Sequence, residues 1–118
     1  MNNKKLGTAF ENFVCRKLAE DGWWVHFMSP DNQGAQPCDV IAVKCGEAII
    51  LDCKTSKDHI FRIGRLEDNQ VYCFEKWSKC GNGDAYIAVE YKDKCLFIPY
   101  SVLKAKGKID LDKWEFFE

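Results

Sequence analysis

The stretch CDVIAVKCGEAIILDCK, Cys38 to Lys54, constrains the fold more than any other part of this chain. It holds two β-branched apolar runs, CDVIAVK and EAIILDCK, separated by a tight turn at Cys45 and Gly46, the pattern of an antiparallel hairpin. The centres of both runs are apolar at successive positions, so both faces of these strands must be covered, and helices are the usual cover. Side chains alternate along a strand, which puts Asp52 and Lys54 on one face about 6–7 Å apart, with Cys53 on the other. Folding back at Cys45 and Gly46 carries Asp39 to the same end of the hairpin as Asp52 and Cys53, at a separation set by the pairing register. Taken singly, an aspartate at a strand start is a turn residue, and Asp-x-Lys is a surface ion pair of little worth. Taken together, two converging carboxylates repel each other unless a cation sits between them. Hard oxygen donors of this kind favour Mg²⁺, with Mn²⁺ as the alternative.

The remaining elements follow from periodicity. Leu6, Phe10, Phe13, Val14 and Leu18 recur at helical spacing from about Lys4 to Asp21, where Gly22 closes the segment, and Lys17 falls inside the stripe with its stem expected to snorkel to water. WWVHFMS, Trp23 to Ser29, reads as a strand before the turn-rich PDNQGAQP. A second helix is expected from about Leu66 to Lys79, with Leu66, Cys73, Phe74 and Trp77 on its buried face and CGNG as its stop. AYIAVEY and KCLFIPY form another hairpin over KDK, and Ser101 to Ala105 a short helical turn. The order predicts a mixed α/β domain, one unit over residues 1–118, with a central sheet flanked by helices. His26, on an aromatic strand, is expected to be packed, Trp23 and Trp24 to serve core and interface, and His59 to be available to phosphate.

Charge narrows the function classes. The chain carries 17 Lys and Arg against 18 Asp and Glu, a net charge of −1, so there is no global electrostatic pull toward nucleic acid and any such binding rests on local patches. Two are visible: Lys54, Lys57, Arg62 and Arg65 opposed only by Asp58, and Lys104, Lys106 and Lys108. Seven cysteines without CxxC spacing or a Cys/His cluster read as reduced thiols used as small hydrophobes. With no long apolar run and no secretory pattern, the expected location is the cytoplasm, away from membrane.

PCDVIAVKCGEAIILDCK resembles the core of the PD-(D/E)xK nuclease superfamily, with Pro37 and Asp39 as its first element and Asp52, Cys53 and Lys54 as its (D/E)xK element. KKLGTAFENFVCRKLAEDGWWVHFMSP is similar to the opening of archaeal-type Holliday junction resolvases: a basic lead, a glycine, a helix carrying a glutamate, a Gly-aromatic turn and a strand ending in Ser-Pro. The resemblance spans about Lys4 to Trp77. It implies a restriction-endonuclease-like αβββαβ core.

The resemblance also implies a site. Glu11 would join Asp39, Asp52 and the Cys53 carbonyl as metal ligands, although Thr8-x-x-Glu11 also has the spacing of a capping box. Lys54 would orient the attacking water. Gln70 interrupts the apolar stripe of the second helix, and nucleases of this kind carry a glutamine beside the catalytic strand, so Gln70 is expected behind the catalytic residues or on DNA. Ser29 would approach from the strand end. Lys4, Lys5, Lys57, Arg62 and Arg65 would hold flanking phosphates without reading sequence. The expected activity is metal-dependent hydrolysis of DNA phosphodiesters, selective for branched structure, by a homodimer with two sites. A repair, phage or restriction-type nuclease shares this chemistry, and a non-catalytic binding module could keep the fold. Three crowded acids speak against the module, and the mild net acidity speaks for it.

Overall fold

The computed structural model describes residues 2–28, 38–81 and 83–114, with side chains from Ala9 onward in the first helix. The first helix, α1, runs over Asn2–Glu20 and is followed by the strand β1, Trp24–Phe27. The opening hairpin is β2, Val40–Lys44, and β3, Glu47–Thr55. A short strand β4, Ile60–Arg62, and a 3₁₀ turn, Ile63–Arg65, lead to α2, Asp68–Lys79. Then come β5, Ala85–Tyr91, β6, Lys94–Pro99, α3, Tyr100–Lys106, and β7, Lys108–Asp110.

Five strands form one sheet in the order β1-β2-β3-β5-β6, with β3 and β5 parallel and every other pair antiparallel. Cys45 and Gly46 take φ of 52° and 81°, the left-handed pair that a two-residue hairpin turn requires. That turn fixes the register Val40↔Leu51 and Lys44↔Glu47, and with it which residues reach the far end together. The β5–β6 turn repeats the solution with Lys92 and Asp93, both at positive φ.

The two faces of the sheet are covered by different helices, as the unbroken apolar centres of β2 and β3 require. Phe10, Val14 and Leu18 of α1 pack on Val40, Ala42, Ile49 and Leu51. Phe74 of α2 and Leu103 of α3 pack with Ile50, Ile87, Val89 and Ile98 on the opposite face. Phe13 departs from expectation: it is 43% exposed, stacked on Phe10 at 6.4 Å, because the stripe on α1 is wider than the sheet surface beneath it. His26 is likewise exposed, stacked on Trp24 at 6.3 Å.

The segment 56–65, visible in the sequence only as part of a basic patch and not as regular structure, is the largest difference. β4 pairs with β7 to form a second, two-stranded sheet. Phe61 and Ile109 bury its inner side.

Candidate active site

Asp39, Asp52 and Lys54 meet at the end of the hairpin remote from its turn. The register takes β2 to its last pair at Val40↔Leu51, while β3 runs on to Thr55. Beyond that pair the Cys53 N–H donates to Asp39 Oδ2 at 2.8 Å, so a carboxylate stands where a neighbouring strand would have offered a carbonyl. The Asp39 N–H donates to the Leu51 carbonyl at 3.0 Å, which locks the aspartate to β3 through its own backbone as well.

Asp52 is 1% exposed. Its Oδ1 accepts from Gln70 Nε2 at 3.0 Å. Its Oδ2 has no hydrogen-bond partner, although Lys54 Nζ lies 3.3 Å away as an ion pair outside hydrogen-bonding geometry. Burial, and next the Asp39 charge, push the Asp52 carboxyl up to about 8, with Lys54 pulling the other way and losing. A buried carboxylate oxygen without a hydrogen-bond donor, beside a second carboxylate, is an arrangement that a divalent cation would stabilise.

Glu11 comes from the other face. α1 begins at Asn2, so Thr8 lies inside the helix and the capping-box reading fails. Half-burial and then the Asp39 charge raise Glu11 to about 7, so Asp39 acts on Glu11 from one side as it acts on Asp52 from the other. The thiols around it respond as well. Cys53 and Cys38 are raised by burial first and by neighbouring charges including Asp39 and Asp52 next, Cys38 to about 12. Kept as thiols, they leave the donors here as hard oxygens, suited to Mg²⁺ or Mn²⁺ rather than to a thiolate-bound metal.

Gln70 is held at both ends. Its Oε1 accepts from the Glu67 N–H at 2.8 Å, capping α2, while its amide nitrogen reaches Asp52. The break in the apolar stripe is therefore a bridge from the helix start to the buried acid. Arg65 donates through Nη2 to the Thr55 carbonyl at 2.9 Å and lies over the Phe61 ring at 5.2 Å, so it flanks the end of β3, next to Lys54. Nothing in the sequence marked Thr55 as its acceptor. Lys57 and Arg62 are exposed. Ser29 and Pro37 lie outside the described residues, as do the side chains of Lys4 and Lys5.

A separate grouping was not anticipated: among the described residues, ligand atoms of His59, Asp110 and Asp112 lie within 4.8 Å of one another. It sits on the β4–β7 side. Asp112 there accepts from the Tyr91 hydroxyl at 2.8 Å and has Lys92 at 3.7 Å, and His59 Nδ1 is 3.4 Å from Asp110, so these groups answer one another's charge.

The raised acids make a prediction about the metal-free protein. Glu11 and Asp52 hold protons in the folded state up to about pH 7 and 8, whereas ordinary values of 4.5 and 3.8 have the unfolded chain release them earlier. The folded state then binds more protons across that window, so its stability falls as pH rises from about 4 to about 8. Urea midpoints in chelator across this range check it. Subtracting the Asp52→Asn profile isolates that residue, and a difference that is flat or rises with pH contradicts the assignment.

Comparison with known proteins gives consistent matches. A family model described as archaeal Holliday junction resolvase (Hjc) matches residues 2–113. The crossover junction endodeoxyribonuclease Hjc of Methanocaldococcus jannaschii is 30% identical over 104 residues, 88% of this chain and 73% of that protein. The solved structure of Archaeoglobus fulgidus Hjc, titled as a Holliday junction resolvase, superposes with a TM-score of 0.70 over 90% of this chain and 88% of that one, at 20% identity. That last likeness bears on the fold.

Proposed function

The chain belongs to the archaeal Holliday junction resolvase family, and from that premise we propose that it is a divalent-metal-dependent endodeoxyribonuclease that cuts four-way DNA junctions. The observation that carries the reading is Asp52: buried, lacking a partner on Oδ2, and flanked by Asp39 and Lys54. Glu11, Asp39, Asp52 and the Cys53 carbonyl would hold the cation, Mg²⁺ or Mn²⁺. When bound, the metal supplies charge that polarises the scissile phosphate and acidifies the attacking water.

The chain's own groups do the rest. Lys54 orients the water and meets the negative charge that develops on the phosphate. Gln70 fixes the carboxylate plane of Asp52 from behind, while Asp39 pins the Cys53 peptide. Arg65, Lys57 and Arg62 would bind flanking phosphates, a contribution that weakens as salt rises. This supports selectivity for DNA shape over base sequence.

A four-way junction has two-fold-related strands, so paired cuts call for two active sites and a homodimer. The exposed apolar side chains of Trp24, Val43 and Tyr72 offer surface for that association. No helix among the described residues is long and apolar enough to cross a membrane.

The test incubates the protein with four-way junction, flap, duplex and single-stranded DNA, with Mg²⁺ or with chelator. Symmetric, metal-dependent nicks in the junction alone are expected. Cleavage of every substrate alike would favour a general nuclease, and no cleavage of any would defeat the proposal. Light scattering tests the dimer separately, and a monomer at working concentration counts against paired incision.

A further inference from the structure

The two basic patches of the sequence, far apart along the chain, meet in the fold at one pair of residues, while Lys104 turns away to Glu75 at 2.7 Å. β4 and β7 pair in the register Phe61↔Ile109 and Arg62↔Lys108. Phe61 and Ile109 point inward, at 0% and 5% exposure, so by strand alternation Arg62 and Lys108 stand side by side on the solvent face. Both are exposed.

Like charges directly opposite each other in an antiparallel pair are destabilising. Among the described residues neither is relieved by an ion pair with a carboxylate. The nearby acids each give one oxygen to the backbone: Asp58 Oδ1 accepts from the Ile60 N–H at 3.1 Å, and Asp110 Oδ1 accepts from the Asp112 N–H at 3.0 Å. In a protein with equal resources of both signs, two cations set face to face leave room for an anion between them. Position gives the anion its source. Arg62 and Arg65 line one open recess together with Asp58, and Arg65 is bonded to Thr55, one residue after Lys54. Lys106, Lys108 and Lys113 line a second recess, in which Asp110 is the one acid against three lysines. A line of cations thus leads from the candidate catalytic lysine through Arg65 to the Arg62–Lys108 pair and on to Lys106.

We infer that Arg62 and Lys108 form a phosphate-binding site for the backbone of a DNA arm, away from the scissile bond, with Lys106 extending it. This rests on the nuclease reading. It joins β7, whose Lys108 the sequence showed only as part of a separate basic patch, to the DNA-binding surface. Its contribution would be to affinity and not to the chemical step.

Binding of a four-way junction to the full-length protein is measured in chelator across a salt series, for wild type, Lys108→Gln and Lys108→Glu. Single-turnover cleavage at saturating protein is measured alongside. Lys108→Gln is expected to weaken binding several-fold at moderate salt and to reduce the log–log salt slope by about 0.9, one phosphate contact, with the saturated cleavage rate unchanged. Lys108→Glu, which gives Arg62 a carboxylate partner, is expected to weaken binding further while raising the thermal midpoint of the free protein. If both variants bind with the wild-type slope and affinity, the site does not exist, whatever the protein cleaves. If Lys108→Gln lowers the saturated rate as much as the affinity, Lys108 acts at the reacting phosphate and the assignment is wrong. If wild type binds and cuts no DNA, both this inference and the nuclease reading fall.

Discussion

Asp52→Asn is expected to lower junction cleavage by about 10²–10³-fold or more, a loss of the size seen when one preorganised electrostatic group is removed from a reaction centre. It should do so without unfolding the protein. The asparagine keeps an Oδ1 to accept from Gln70 Nε2, so the 3.0 Å bridge to α2 survives. What disappears is a charge that the fold does not favour: burial, and next the Asp39 charge, raise the Asp52 carboxyl, so the metal-free protein resists its ionisation. Losing one partner of a buried ion pair is ordinarily costly. Here burial outweighs the lysine, and the cost is expected to be small. Single-turnover rates with Mg²⁺ and thermal midpoints in chelator check both halves. Retained cleavage would remove Asp52 from the site, and a collapse of the thermal midpoint would make it structural.

Lys54→Met should produce a loss of similar order by another route. Methionine keeps the stem's length and apolar contacts but removes the ammonium that lies 3.3 Å from Asp52 Oδ2. Because Lys54 acts to lower the Asp52 pKa, its removal leaves the acid harder to ionise, so more metal and a higher pH are needed for the same occupancy. The variant's metal requirement should therefore rise while junction affinity in chelator changes little. Lys54→Arg, which restores the charge, should recover part of the rate. A rate that returns fully with added Mg²⁺ would mean that Lys54 only tunes the acid and takes no part in the hydrolysis itself.

Much of this arrangement was legible because its causes are local. The apolar runs and the Cys45-Gly46 turn are neighbours in sequence, and a two-residue loop leaves one register, so the convergence of Asp39 with Asp52 followed before any coordinates. Gln70 could be noticed because a polar residue in an apolar stripe must find partners. The same reasoning failed where the cause is distant. β4 is three residues long, too short to show a period, and its partner β7 lies beyond two further strands and two helices. Phe13 fits the stripe of α1, but whether it is buried depends on the breadth of the sheet below, which no periodicity reports. Arg65 was found as a charge, whereas its anchor is a backbone carbonyl, and carbonyls are the same in every residue.

The pairing of β4 with β7 also sets an order of events. The β2–β3 hairpin closes over a two-residue turn and can assemble as soon as its own residues leave the ribosome, carrying Asp39, Asp52 and Lys54 with it. Arg62 cannot meet Lys108 until every residue between them has been made, and contacts so far apart in sequence carry the larger loop-closure cost. Ile109 and Leu111 also join the core that holds Phe61 and Leu103, so the strand that brings Lys108 to Arg62 is at the same time a structural tie, and the grip on DNA and the integrity of the fold are built from the same few residues.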